Sequence, residues 1–352
     1  MLEPTRITLA RHAAGYSTLD LARLVQVGES TVRRYETCGA PEALAGQLAG
    51  ALGCAPGYFH RPPTAGIDVE RIFFRTPRRI SRAQKTACSA LGRTGVELYN
   101  LITADYTLPD TEVPDYTGFD PEAAAAQLRL DWNLGCGPVP DLIYVLESRG
   151  VRVLSLASGT SFSFWEEGQA FIFLAAGDRA EQRHQLAHEL GHLLLHSALG
   201  ADGHAAAEAE AEAEQFAARL LLPALSLQAR MGDTLQLPQL LDLQELFGVP
   251  ARIILSHARE CGMLGDASYS WLVQELALEP APRRAPLASR VFSLVFPSLR
   301  GEDRLDTARI ADTLGVPART LHELTFGHAF MVLPGLRDAA PRGMPGHLRA
   351  LS

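Results

Sequence analysis

Two histidines four residues apart, His188 and His192, enclose a glutamate at position 189 in the string HELGH. On an α-helix, positions four apart project from one face about one turn apart, which lets both imidazoles grip a single zinc ion. Glu189 is offset from that line. It stays off the metal yet can reach a metal-bound water, the placement a hydrolytic zinc centre needs for its general base.

A tetrahedral catalytic centre takes three protein ligands and a water, so a third ligand is expected downstream on another helix. The chain offers Glu208, Glu210, Glu212 and Glu214 in an Ala-rich run, and alternating Glu and Ala among good helix formers makes a helix rather than a strand. On that helix Glu210 and Glu214 share one face, and Glu208 and Glu212 share another. Ala213, Ala217, Leu220 and Leu221 continue the Glu210 face into an apolar core. Glu210 is therefore the expected ligand and Glu214 an acceptor that orients a zinc histidine, while Glu208 and Glu212 read as solvated. His196 lies too far along to join His188 on one ion, about 12 Å at roughly 1.5 Å per residue, and reads as a helix-end histidine. His184 reads as a packed or solvent-facing side chain, and His204 as a loop histidine free to contact substrate.

The elements around these residues must hold them in place. Phe171 to Leu174 reads as a short buried strand that feeds a Gly177-Asp178 turn and then the metal-bearing helix, whose apolar side carries Leu186, Leu190, Leu193 and Leu194. Helices are expected over Pro121 to Trp132 and Asp141 to Arg149, and a second strand over Val151 to Leu156. Between the strands lies a Ser/Gly-rich turn region with Phe162, Phe164 and Trp165, which either pack in the core or line a groove. A small sheet beside such a helix presents an edge to which an extended peptide can add as a strand. Past Pro223, Leu241 to Cys261 carries a helix-turn-helix pattern that closes this region.

The stretch RHQLAHELGHLLLH (183–196), followed by Glu210 and then FAARLLLP (216–223), resembles the ImmA/IrrE family of zinc metallopeptidases. The resemblance implies a gluzincin-like zinc peptidase, places the family's ligand glutamate on Glu210, and puts Glu214 where the family has an asparagine. An acidic side chain there can still accept a hydrogen bond from a ligand histidine. The resemblance also implies a protein substrate, a regulatory protein such as an XRE-type repressor, cleaved in response to stress, DNA damage or mobile elements.

At 352 residues with a net charge of −8, the chain is long enough for two or three domains and carries no blanket affinity for nucleic acid. Its five cysteines, Cys38, Cys54, Cys88, Cys136 and Cys261, form no CxxC and read as small buried or neutral residues in a reducing cytosol. No signal peptide or membrane-spanning run is present in the sequence, and a cytoplasmic protein without a membrane partner is expected.

From Ser17 to Glu36, the spacing of Leu21, Ala22, Val25, Val27, Val32 and Tyr35 predicts two short helices around a tight turn. The region from about Ile7 to Phe59 resembles the Cro/C1-type (XRE) DNA-binding domain. That resemblance implies a second helix lying in the major groove, with Glu29, Ser30, Thr31, Arg33 and Arg34 on or beside its exposed face, and with Thr18 where the family commonly has a DNA-contacting glutamine. Arg33 and Arg34 are the natural phosphate or guanine contacts. Gln26 occupies the usual turn glycine and Gly28 the usual cap serine, both substitutions that the fold tolerates. Such modules also pair with one another, so DNA, a protein partner and a homodimer are all partners to consider.

A basic connector follows Pro62-Pro63, with Arg71, Arg75, Arg78, Arg79, Arg82 and Lys85, and then a helix over Ala83 to Ile102. The connector either touches phosphates or is a solvated linker anchored by Phe73 and Phe74, and Phe74-Arg75 looks like the FR segment of XRE–ImmA/IrrE fusions. The motif GVPAR occurs at 248–252 and again at 315–319, each a helical corner with proline near a helix start.

The expected architecture is mainly α with a small β-sheet (α+β). A helix-turn-helix domain spans 1–62, a connector with a helix 63–120, a zinc peptidase 121–263 and a helical region 264–352. The expected activity is a zinc-dependent metalloendopeptidase with Glu189 catalytic and His188, His192 and Glu210 on Zn2+. The alternative is a DNA-binding transcriptional regulator in which the zinc site is structural or sensory.

Overall fold

A computed structural model describes residues 1–74, 80–157, 159–197, 205–232, 234–279, 285–298 and 307–329; of residues 205 and 206 only the backbone is described. Arg75, Arg78, Arg79 and His204 lie outside the described residues. The fold is mainly helical with one small sheet, as the periodicity predicts.

The first four helices, α1 (Pro4–Ala13), α2 (Thr18–Leu24), α3 (Glu29–Cys38) and α4 (Ala45–Leu52), close over their own core of Ile7, Leu21, Val32, Leu48 and Phe59. Ser17 and Asp20 form a reciprocal capping box at the start of α2. The turn into α3 places Gln26 at φ 55°, the left-handed conformation that a glycine would otherwise supply.

Strand β1 (Phe73–Phe74) and the long helix α5 (Arg82–Thr103) follow, then α6 (Pro121–Asp131) and α7 (Leu142–Ser148). Next come β2 (Arg152–Leu156), β3 (Phe162–Glu166) and β4 (Gln169–Ala175). Among the described residues they form a four-stranded sheet in the order β1-β3-β4-β2, with β2 and β4 parallel and the other pairs antiparallel. Strand β3 corrects the sequence reading, which took this stretch as a turn region. A two-residue connection, Glu167-Gly168, with φ 51° and 75°, reverses the chain so that Glu166 faces Gln169. Positive φ at both residues is the hairpin geometry that matches strand twist.

The sheet is apolar on both faces, and side-chain alternation sends each set to a different layer. Val153, Ile172 and Leu174 pack towards α8 (Arg179–Leu195) and α9 (Ala205–Leu221), whereas Leu154, Phe162, Phe164, Phe171 and Phe173 pack towards α5. Gly95 lets α5 approach the sheet, since a methyl there would sit 2.5 Å from the Phe173 ring. Helices α10 (Ala224–Met231), α11 (Leu237–Phe247), α12 (Ala251–Glu260) and α13 (Asp266–Leu276) complete the α8 side. Helices α14 (Arg290–Ser298), α15 (Thr307–Leu314) and α16 (Ala318–Leu324) complete the α5 side. Both GVPAR copies are corners as expected, with Gly248 and Gly315 left-handed and Pro250 and Pro317 capping the next helix. The second corner meets the end of α4, where a methyl on Gly53 would stand 3.0 Å from the Pro317 ring, and beside it Arg61 Nη1 donates to Thr313 O on α15 at 2.5 Å. Cys38 and Cys136 are exposed rather than buried, since each ends a helix or lies in a loop that no core covers.

Candidate metal centre

Asp178 starts α8 by accepting from the amides of Ala180 and Glu181 at 2.8 and 3.1 Å, satisfying two N–H groups that have no partner within the helix. The helix is buried on nearly every side, and its histidines at 184, 188, 192 and 196 are all less than 2 % or about 2 % exposed. They form a ladder with four-residue spacing. Beside it lies α9, whose small residues allow a close approach. At Gly191 a methyl would stand 3.0 Å from Phe216 Cδ1 and 3.2 Å from Ala213 Cα, so the glycine inside HELGH is what lets the two helices touch.

This contact brings the expected donors together. His188 Nε2 lies 3.2 Å from His192 Nε2, which lies 3.1 Å from Glu210 Oε1, and Glu210 Oε2 lies 3.8 Å from His188 Nε2. Ligand atoms about 2.1 Å from a tetrahedral zinc stand about 3.4 Å apart, so two imidazoles and a carboxylate at these separations fit one ion. Burial opposes charge on His188, yet hydrogen bonds to Glu210 and Glu214 outweigh it and push its pKa up to about 9, while burial takes His192 down to about 4.

Each candidate imidazole has a partner behind it. Glu214 Oε2 lies 3.2 Å from His188 Nδ1, within reach of the ring it was expected to orient, and its other oxygen lies 3.4 Å from His184. His192 Nδ1 lies 3.1 Å from His196 Nδ1, and His196 Nε2 lies 2.8 Å from Glu212 Oε2. Glu212 is therefore no bystander on a solvated face, a correction that follows from the tight helix contact, since His196 reaches across to it. Both candidate ligand imidazoles are engaged at Nδ1, which leaves Nε2 facing inward.

Glu189 is fully buried, and Ser163 Oγ on β3 donates to its Oε2 at 2.7 Å. Sequence reasoning missed Ser163 because it missed β3, although the Glu167-Gly168 hairpin turn was a signal for it. It also missed Phe73, whose ring stacks on His192 with centroids 5.2 Å apart and planes 3° apart. Phe162 and Phe164 are core residues, and Trp165 Nε1 donates to Leu193 O at 3.1 Å.

The residues read as DNA contacts lie elsewhere, on α2 and α3. Ser30, Arg33 and Arg34 are exposed, and Thr18, Glu29 and Thr31 half-buried. Glu29 Oε1 accepts from Arg33 Nη2 at 2.7 Å and from Thr18 Oγ1 at 2.8 Å, and these two bonds hold its carboxyl below the usual carboxylate range.

Residues 146–257 match the family model of the IrrE N-terminal-like domain, peptidase M78. The matched span runs from the end of α7 to α12 and contains every residue of the His188–His192–Glu210 cluster, together with Glu189, Glu212 and Glu214. The match supports a metallopeptidase of the ImmA/IrrE kind, and with it a protein substrate. No curated protein matches the chain. Among the described residues, no helix is long and apolar enough to cross a membrane.

Proposed function

We propose that this protein is a zinc-dependent endopeptidase in which His188, His192 and Glu210 hold the ion and Glu189 is the general base. The observation that carries the proposal is the convergence of three donors of the right chemistry at 3.1 to 3.8 Å, with a buried glutamate one residue from a ligand. A zinc ion there supplies a Lewis acid for the scissile carbonyl and makes water a nucleophile at neutral pH. Glu189 takes the proton of the attacking water and returns it to the amine nitrogen as the C–N bond breaks. Ser163 fixes one oxygen of that carboxylate, so the base is held in one orientation. Glu214 and the His196–Glu212 pair fix the rings of His188 and His192.

The substrate belongs to the same proposal: a regulatory protein, in particular an XRE-type repressor, cleaved under stress, DNA damage or the action of mobile elements. It rests on the resemblance to ImmA/IrrE peptidases and on the helix-turn-helix geometry of α2 and α3. Within it, residues 1–62 bind DNA or a protein through Thr18, Glu29, Ser30, Thr31, Arg33 and Arg34, residues 121–263 hold the peptidase, and the protein works in the cytoplasm.

A second reading has its own observation. Arg33 and Arg34 stand exposed on α3, which favours a DNA-binding regulator whose zinc site is structural or sensory. One experiment separates the two: newly generated protein N-termini are compared in the native host, with and without DNA-damaging stress, between wild type and Glu189→Gln. A fragment that requires Glu189 establishes proteolysis and names the substrate. Identical N-termini under every stress tried sink the peptidase and leave the regulator.

A further inference from the structure

An extended peptide can reach His188, His192 and Glu189 by adding to a sheet edge beside α8, and β3 is the strand that borders the site from the sheet. Ser163 of β3 reaches Glu189, and Trp165 of β3 reaches the carbonyl of Leu193. One side of β3 is bonded to β4. The other side is occupied by the chain itself. Phe73 pairs with Ser163 and Phe74 with Phe162, antiparallel. Directly paired residues point to the same face of a sheet, so Phe73 lies on the face of Ser163 and Glu189, where its ring covers His192 and approaches His196 at 6.2 Å. Phe74 points to the opposite face, 6.0 Å from Phe162, with the Lys85 ammonium 5.6 Å from its ring.

We propose that this outer edge of β3 is the peptide-binding edge of the site, that Ile72–Phe74 fills it in place of a substrate, and that a substrate enters by displacing β1 and puts an aromatic side chain where Phe73 now lies. The proposal rests on the peptidase reading above.

The self-occupant has the form of a bound peptide. It is extended, antiparallel to an edge strand, and held by ladder hydrogen bonds with alternate side chains in pockets, which is how strand-adding ligands bind. It is also short enough to leave. The strand is two residues long, so only a few ladder hydrogen bonds hold it, each a modest net contribution. What secures it further is the burial of Ile72 and Phe74 and a hydrogen bond from Arg71 Nη2 to Trp165 O at 3.2 Å. The flat stack of Phe73 on an imidazole defines the shape of the slot. A planar apolar side chain fills it, and an alanine leaves the His192 ring uncovered.

The test uses the zinc-loaded full chain and two dansylated tripeptide hydroxamates that differ only in carrying phenylalanine or alanine beside the metal-binding group. Phe73→Gly empties the slot, and Arg71→Ala loosens β1 from outside the core. Zinc content is measured in both to show that the site is intact. The expected result is at least tenfold tighter binding of the phenylalanine probe by Phe73→Gly than by wild type, a few-fold tightening by Arg71→Ala, and at least tenfold preference for that probe over the alanine probe. Amide hydrogen exchange over Phe162–Glu166 speeds up in parallel. Unchanged probe affinity in a zinc-replete variant overturns the proposal, as does equal binding of the two probes. Should Phe73→Gly fail to fold, Arg71→Ala decides alone. Cleavage of β-casein, assayed alongside, reports on the other reading. Tighter probe binding with casein left intact by every variant keeps the edge assignment and counts against the peptidase. Faster cleavage that Glu189→Gln abolishes supports both.

Discussion

Two helices of this protein carry rows of charged and polar side chains, and they hold them in opposite ways. On α8 the four-residue ladder of histidines is buried, and each ring meets a carboxylate or a neighbouring imidazole from a fixed direction. On α3, Arg33 and Arg34 stand in solvent, and among the described residues the Arg33 guanidinium pairs with Glu29 on its own helix. Buried polar networks are costly unless every member is satisfied, and when satisfied they specify one geometry. An exposed pair in the i,i+4 relation is worth only a few tenths of a kcal/mol and yields readily to a new partner. The first arrangement suits a site that must hold an ion at fixed distances. The second suits a surface whose partner does the ordering.

The largest break of this contrast is removal of a ligand. His192→Ala is expected to take the zinc content of the purified chain from about one ion to none, measured by mass spectrometry of the metal, because a tetrahedral site needs three protein ligands. Arg34→Ala should leave zinc content unchanged. Full zinc retention in His192→Ala would place the ion elsewhere.

A methyl group tests whether the helix contact, rather than the motif alone, builds the centre. Gly191→Ala changes no ligand, yet its Cβ must fit 3.0 Å from Phe216 and 3.2 Å from the backbone of Ala213. Overpacking of this kind costs about 1–3 kcal/mol and pushes α9, with Glu210, away from α8. Thermal unfolding of the metal-free chain reads the first effect and zinc affinity the second. A variant as stable and as tight as wild type would show that α9 has room to spare.

This dependence on contact explains what was legible in the sequence. The helix period alone places His188 and His192 on one face and pairs Glu210 with Glu214, because both relations are local to a helix. Whether Glu212 faces solvent is decided by how closely α9 packs, and that depends on Gly191 and Ala213 meeting across the interface. Ser163 needed β3 to be recognised, and β3 is a strand because a two-residue turn folds it onto β4. The sequence leaves Phe73 either in a phosphate-touching connector or as the anchor of a solvated linker. Its ring packs against His192, a candidate ligand, which no local pattern encodes. On the N-terminal side the reading went further, since Leu21, Ala22, Val25, Val32 and Tyr35 are buried as their spacing predicts and Gln26 takes the turn.

The partners behind the ligands give a smaller effect and sharpen the comparison. Glu214→Ala and Glu212→Ala should each weaken zinc binding by about 10- to 100-fold without abolishing it, the usual consequence of losing an orienting group. Competition with a chromophoric chelator measures both. Glu208→Ala, a change on the same helix outside the network described, provides the reference. If Glu212→Ala behaves like that reference, the His196–Glu212 pair does nothing for the metal.

The smallest effects belong to α3, where they decide what kind of partner it meets. Glu29 binds Arg33 and Thr18 at once, so it both places a negative charge beside the exposed arginines and occupies one of them. For a DNA-binding surface, Glu29→Gln removes a like-charge repulsion against phosphate and frees a guanidinium for it. Binding to a mixed-sequence duplex at low salt should tighten several-fold, with a steeper dependence on salt concentration. Arg34→Ala should weaken binding and reduce the salt slope by about one. If neither substitution changes affinity or slope, the arginines of α3 contact no phosphate. Then Glu29 is best understood as half of an ion pair kept for a protein partner, because a surface that neutralises its own charge has given up the long-range attraction that DNA offers and kept only shape and short-range contact to recognise with.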